Sequence, residues 1–180
     1  ALRFALEGWN VVCHYHSSED AVKILETKIK SSSDVQFAAL KADFSKPEDI
    51  EKFADKISTF RIDSIINNAG GYIGAKYFSE LTYKDLELTF SLNVFAPIII
   101  TSRLFQGMIE RNFGRIVNIS SVASKYGGSD KSLHYGASKR ALEGMSKTFA
   151  RVGVAHNVLV NSVRPGAIDT EAHKKFPKDM

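Results

Sequence analysis

Tyr135 and Lys139 stand four residues apart in Tyr135-Gly136-Ala137-Ser138-Lys139, and Ser121 closes an upstream run, Ile116-Val117-Asn118-Ile119-Ser120-Ser121. Residues i and i+4 of a helix share a face, so a phenol and an ammonium at this spacing can meet. A phenol is a poor acid or base at neutral pH, because its free pKa is about 10. A cation held beside it stabilises the phenolate. The tyrosine can then exchange a proton with a carbonyl or alcohol oxygen that a serine hydroxyl also holds. Taken alone, Tyr-x-x-x-Lys on a helix surface is an aromatic ring lying on a lysine stem.

Four further features arrive in a fixed order. They are Asn67-Asn68-Ala69-Gly70 after an apolar run, Asn93 in a helical stretch, Ser120-Ser121 after a second apolar run, and Pro165-Gly166-Ala167-Ile168-Asp169-Thr170 after a third. As a set, from about Ala1 to about Thr170, these motifs resemble the short-chain dehydrogenase/reductase family. The resemblance implies an oxidoreductase that moves a hydride between NADP(H) and a carbonyl or alcohol, with NAD as the alternative cofactor. It implies Tyr135 as general acid/base, Lys139 as the cation that also bonds the nicotinamide ribose, and Ser121 as the group that polarises the carbonyl. The spacing from Ser121 to Tyr135 is one residue longer than the common family arrangement, so Ser120 stands as a second candidate. Asn93 matches the residue that bends its helix and holds a relay water. Asn68 is expected against the adenine ribose and Asp43 against the adenine. Pro165, Gly166, Ile168 and Thr170 match the segment at the nicotinamide, and Ala69 and Gly70 complete the cofactor turn.

Cofactor preference turns on the end of the first visible strand. Enzymes that prefer NAD place Asp or Glu there to bond the ribose 2′-hydroxyl. The run Val11-Val12-Cys13-His14-Tyr15-His16-Ser17-Ser18 offers no carboxylate before Glu19. His16, Ser17 and Ser18 can donate to a 2′-phosphate, and the run is similar to that of pteridine-reductase-like members, with Ser17 at the position of their arginine. NADP(H) is therefore favoured. A rival function from another class is a catalytically idle nucleotide-binding protein on the same fold; retention of Asn93, Ser121, Tyr135 and Lys139 together argues against it.

The elements that must position these residues alternate. Strands are expected over Asn10–Tyr15, Val35–Ala42, Ile62–Asn67, Arg115–Ser120 and Val158–Val163. Helices are expected over Glu19–Lys30, from Pro47 to about Thr59, from Thr82 to about Asn112, and over Leu133–Val152. Short apolar strands alternating with helices predict a doubly wound α/β fold with a parallel sheet, of Rossmann type. Ligands of such sheets bind at the carboxyl ends of the strands. Asn68, Ser121, Pro165, His16 and Asp43 all follow strands, an argument that does not depend on the resemblance.

One domain, residues 1–180, is expected from the length. The resemblance leads us to expect that the family's glycine-rich turn and first strand precede Ala1, and that a further segment follows Met180. The literal 180-residue polypeptide is accordingly expected to fold poorly and not to bind NADPH. A hydrophobic content of 44% and a net charge of +4 spread along the chain are ordinary for a globular protein and give no nucleic-acid patch. The lone Cys13 excludes an intrachain disulfide framework and favours a reducing, cytoplasmic location. Five histidines without paired ligand spacing predict no metal site. No apolar stretch is expected to reach membrane-spanning length, because Pro97 interrupts Val94–Ile100. A small-molecule carbonyl or alcohol is the expected substrate, and the resemblance implies a homo-oligomer, dimer or tetramer. A strained Gly-x-Ser-x-Gly elbow, which a serine hydrolase would need, is absent.

Overall fold

A computed structural model describes residues 1–169. The chain divides into two compact units, the first Ala1–Phe53 and the second from Ala54 onward.

The first unit opens on α1 (Leu2–Leu6), continues through β1 (Val11–Tyr15), α2 (Glu19–Ser32) and β2 (Phe37–Lys41), and enters α3 (Pro47–Ser58). Glu19 and Asp20 in the first turn of α2, and Lys30 in its last, match the helix dipole. Pro47 opens α3, where its missing N–H costs no intrahelical bond. The two strands pair in parallel, with Val11 opposite Phe37 and Tyr15 opposite Lys41. Val22, Ile29, Ala42, Phe44, Ile50 and Phe53 form the buried core. His14 stacks on Phe44 with centroids 4.0 Å apart, and its Nε2 is paired with the Ala42 carbonyl oxygen at 3.0 Å. Burial lowers the His14 pKa from its ordinary value. Cys13 is half-buried within β1.

The second unit carries β3 (Ser64–Asn67), α4 (Tyr83–Phe90), a π-helical turn (Ser91–Phe95), α5 (Ala96–Glu110), β4 (Gly114–Ile119), α6 (Ala123–Tyr126), α7 (Leu133–Gly153) and β5 (Val158–Val163). Its sheet is parallel in the order β3-β4-β5. Asn67 stands opposite Asn118, and Asn118 opposite Ser162, so the three carboxyl ends share one edge. The expected α/β architecture of parallel strands with intervening helices is present in both units. The expected helix over 82–112 is α4, the π turn and α5 in one run. Thr82 caps it: its Oγ1 accepts from Asp85 N at 3.3 Å, and Thr82 N donates back to Asp85 Oδ2 at 2.8 Å.

This run corrects the expectation that no stretch reaches membrane length. Among the described residues, the run Tyr83–Glu110 is long and apolar enough to cross a membrane. Pro97 does not break it, because it lies in the first turn of α5, directly after the backbone has widened to a π turn in which Ala96 N bonds Ser91 O. Ile100, Leu104, Phe105 and Met108 are buried inside the unit, as in a core helix.

Candidate active site

The site is assembled where the three strands of the second unit end. Asn118, in the last turn of the ladder, is fully buried and joins two neighbours. Asn67 Nδ2 donates to Asn118 Oδ1 at 2.7 Å and lies 3.1 Å from Thr101 Oγ1, while Asn118 Nδ2 donates to Ser146 Oγ at 2.7 Å. Ser162 Oγ donates to Ser146 Oγ at 2.9 Å. A polar chain therefore runs from α5 through β3 and β4 to α7, buried along that course, with the exposed Ser162 of β5 joining it at Ser146. It sets the axial position of α7, the helix that carries Tyr135 and Lys139.

Lys139 is only 4% exposed. Its Nζ donates to the Ile119 carbonyl at 2.8 Å, which anchors the ammonium at the end of β4, two residues before Ser121. It also lies 5.8 Å from the centre of the Tyr135 ring. Burial pulls the Lys139 pKa down to about 8, so the cation persists at neutral pH but is within reach of titration. Tyr135 is half-buried, and Tyr72 meets its ring edge-to-face at 5.8 Å. Tyr72 OH in turn donates to Lys131 O at 2.8 Å.

Helix α7 reaches this place because its start is clamped. Gly136 packs so tightly on the preceding loop that a Cβ there would come within 2.5 Å of Gly127 O. His134 Nε2 is paired with Ile73 O at 3.2 Å. The loop from Val122 to His134, expected to carry a small insertion, folds partly into α6, closed by Gly127 in the left-handed region at φ 89°.

Ser121 and Ser120 part company. Ser121 is half-buried, and its Oγ accepts from Ala123 N at 3.1 Å. Ser120 is buried, and its Oγ donates to Glu143 Oε1 at 2.7 Å. The hydroxyl of Ser120 is thus turned toward α7.

Asn93 sits in the π turn with no exposed surface. Its Oδ1 accepts from Gly71 N at 3.0 Å and its Nδ2 donates to Gly71 O at 2.9 Å. Pro97 carries no N–H for the Asn93 carbonyl four residues earlier. Gly70 adopts φ +126°, and a Cβ there would come within 2.5 Å of Asn93 Oδ1. The close approach that glycine permits at position 70 is to Asn93. Asn68 is exposed, Ala69 half-buried, and Asn68 N bonds Ile66 O at 2.9 Å in the turn after β3. Pro165 is half-buried after β5, with Val122 N donating to its carbonyl at 3.1 Å. Gly166 and Ile168 are exposed, and Thr170 lies outside the described residues.

In the first unit, His16, Ser17 and Ser18 are exposed where β1 ends. His16 Nε2 stands 3.7 Å from Asp43 Oδ2, and Lys46 Nζ 3.8 Å from the same atom. Asp43 Oδ1 accepts from Ser45 Oγ at 2.6 Å and Ser45 N at 3.0 Å, and these bonds hold its carboxyl below the usual carboxylate value. Among the described residues no cluster of His, Cys, Asp or Glu could hold a metal ion.

Comparison with known proteins places the chain. The family model for short chain dehydrogenases matches residues 1–180. The chain belongs to that family. This short chain dehydrogenase is 34% identical to the L-rhamnose 1-dehydrogenase (NADP(+)) of Thermoplasma acidophilum, over 97% of its own length and 69% of the relative's. It is 30% identical to the acetoacetyl-CoA reductase of Allochromatium vinosum, over 93% of its length and 68% of that protein's. A short-chain dehydrogenase from Sphingobium yanoikuyae, solved in complex with NADPH, superposes with a TM-score of 0.83 at 26% identity, covering 92% of this chain and 64% of that one. The chain thus spans about two thirds of the length of these relatives. These named reductases and dehydrogenases are oxidoreductases, which is the class the family shows.

Sequence reasoning missed one residue of this short chain dehydrogenase's site region. Glu143 is buried one turn beyond Lys139, bound by Ser120, Ser124 and Arg164. A signal for it existed: a glutamate at i+4 from Lys139, in the same stripe as Leu142 and Ser146, is out of place unless it has partners.

Proposed function

We propose that the protein transfers a hydride between NADP(H) and a carbonyl or alcohol substrate, with Tyr135 as the proton carrier. The observation that carries the reading is the buried Lys139 ammonium, tied to Ile119 O at the carboxyl end of β4 and set beside the Tyr135 ring. Bound nicotinamide dinucleotide supplies or takes up the hydride. Tyr135 holds the proton that the substrate oxygen gains or loses. Lys139 stabilises the phenolate form electrostatically, an effect strengthened by its burial. Ser121, whose Oγ uses its acceptor side toward Ala123 N, keeps its proton to donate to the substrate oxygen. Asn93, locked to Gly71, holds the turn after β3 against the helix that carries it.

The residues present fit NADP(H). The end of β1 offers the ring of His16 and the hydroxyls of Ser17 and Ser18 without a carboxylate among residues 11–18. The Asp43 carboxylate is engaged by Ser45 and flanked by Lys46 and His16. Relatives named for NADP(+) and solved with NADPH support the same choice. Asn68, Ala69, Gly70, Pro165, Gly166 and Ile168 are proposed to line the cofactor, with a small-molecule substrate and a homo-oligomeric assembly.

The test is consumption of NADPH with a panel of carbonyl compounds including acetoacetyl-CoA, and reduction of NADP+ with L-rhamnose. Tyr135→Phe is expected to lose at least about a hundredfold in kcat, the size of general acid–base effects. Near wild-type turnover in that variant would sink the assignment.

A further inference from the structure

The reaction proposed above has no use for Glu143, yet this carboxylate is the most heavily engaged charged group near the site. Its side chain is 6% exposed. Oε1 accepts from Ser120 Oγ at 2.7 Å, from Arg164 Nε at 2.6 Å and from Ser124 Oγ, and Oε2 accepts from Arg164 Nη2 at 2.7 Å. Arg140 Nη1 lies 3.4 Å from Oε2. The three close partners come from two segments, after β4 and after β5. Ser120 and Ser124 flank Ser121, Arg164 directly precedes Pro165-Gly166, and Glu143 itself is one helical turn after Lys139.

Two of these connections lead on to proposed site residues. Ser124 Oγ lies 2.7 Å from the Ser121 carbonyl, so the hydroxyl that reaches Glu143 also holds the Ser121 peptide. Ser120 Oγ lies 3.4 Å from Lys139 O as well as contacting Glu143. Val122 N donates to Pro165 O at 3.1 Å, joining the segments after β4 and β5 a second time. A bidentate guanidinium–carboxylate pair fixes orientation as well as distance, unlike a single hydrogen bond.

We propose that Glu143, through Arg164, Ser120 and Ser124, is a positioning residue that holds Ser121 and the Pro165-Gly166 segment in register with Tyr135 and Lys139. The carboxylate gathers the two segments whose placement the reaction needs. The charge is secure: Arg164, then the two serine hydroxyls, hold the Glu143 carboxyl down to about 2. The clamp therefore stays ionised where Lys139 titrates, near pH 8. The proposal rests on the hydride-transfer reading.

The test uses Glu143→Gln, which keeps the shape of the side chain but loses the charge, and Arg164→Lys, which keeps the charge but loses the fork. Each is compared with Tyr135→Phe in NADPH-dependent turnover of the panel substrate the wild type accepts. Glu143→Gln is expected to lose about tenfold to a hundredfold in kcat, as for a misplacement of about 1 Å, with KM and the NADPH Kd changed less than about threefold. That loss should be uniform from about pH 5 to about pH 9, since a positioning group that does not titrate there moves the height of the profile and not its limbs. Arg164→Lys, which keeps a cation for Glu143, should lose less of the rate than Glu143→Gln. Crystal structures of both variants give a readout independent of turnover: residues 120–124 should be displaced while Tyr135 and Lys139 keep their places. Wild-type kcat in Glu143→Gln, a loss appearing only in KM, or an undisplaced 120–124 segment would overturn the proposal. If the wild type turns over nothing in the panel, the hydride-transfer reading fails by itself, and the variant structures still decide whether Glu143 places Ser121.

Discussion

Gly70 shows at the level of one residue how function-bearing groups are held. Its φ of +126° is open to glycine alone, and Asn93 Oδ1 fills the space a Cβ would occupy. Gly70→Ala is expected to destabilise by about 1–3 kcal/mol, from backbone strain and from loosening the Asn93–Gly71 bonds. Urea denaturation of the variant measures this; an unchanged midpoint would show that the turn after β3 relaxes freely. The Lys139 ammonium makes a second residue-level prediction. Its unfolded pKa of 10.5 falls to about 8 in the fold, because burial disfavours the charge. Between those values the unfolded chain binds the proton that the native protein has released, so this group makes stability rise with pH across the window. Lys139→Met removes that contribution, and comparing thermal unfolding of the two proteins at about pH 7 and about pH 10 isolates it.

At the scale of elements, the buried chain Asn67–Asn118–Ser146 ties β3 and β4 to α7. Asn118→Ala strands one Asn67 amide hydrogen, at a cost of about 1–3 kcal/mol, and also forfeits the bond to Ser146, which keeps Leu142 O and Ser162 Oγ, for about 1 kcal/mol more. Chemical denaturation reads the sum; a loss below about 1 kcal/mol would mean that water replaces the amide. The Glu143–Arg164 link from α7 to the residue after β5 is an ion pair and has its own pH signature. Glu143 falls from an ordinary 4.5 to about 2 in the fold, so its contribution is complete above about 4.5 and is lost as pH drops toward about 2. Glu143→Gln should flatten that acid limb of the stability profile. An acid limb of wild-type steepness in the variant would assign it to other carboxylates.

Over the whole molecule, strand pairing differs between the units. Strand β4 is hydrogen-bonded on both sides, whereas β1 and β2 pair only with each other among the described residues. Amides of Arg115–Ile119 are therefore expected to exchange most slowly, and those of β1 and β2 faster. Hydrogen exchange resolved by residue would show this; equal protection of β1 and β4 would contradict it.

Much of this arrangement was legible in the amino-acid order. Strand Val158–Val163 is observed over the residues expected, helix Leu133–Gly153 ends one residue beyond its expected end, and Pro47 starts α3 as its missing N–H predicts. Such features rest on periodicity, turn chemistry and caps, which are properties of neighbouring residues, so sequence alone determined the element order and the gathering of Asn68, Ser121 and Pro165 at the strand ends. Chain order could not reveal which of Ser120 and Ser121 faces α7, because the two side chains alternate across an extended backbone and only packing distinguishes the sides. Nor could it show that Gly70 packs against Asn93, whose side chain bonds Gly71 across a separation of 22, or that Glu143 pairs with Arg164 at a separation of 21. Burial makes those partners obligatory, since a charge or amide removed from water must be matched. Burial is decided only when the helices close over the sheet, and so these pairings belong to the tertiary structure.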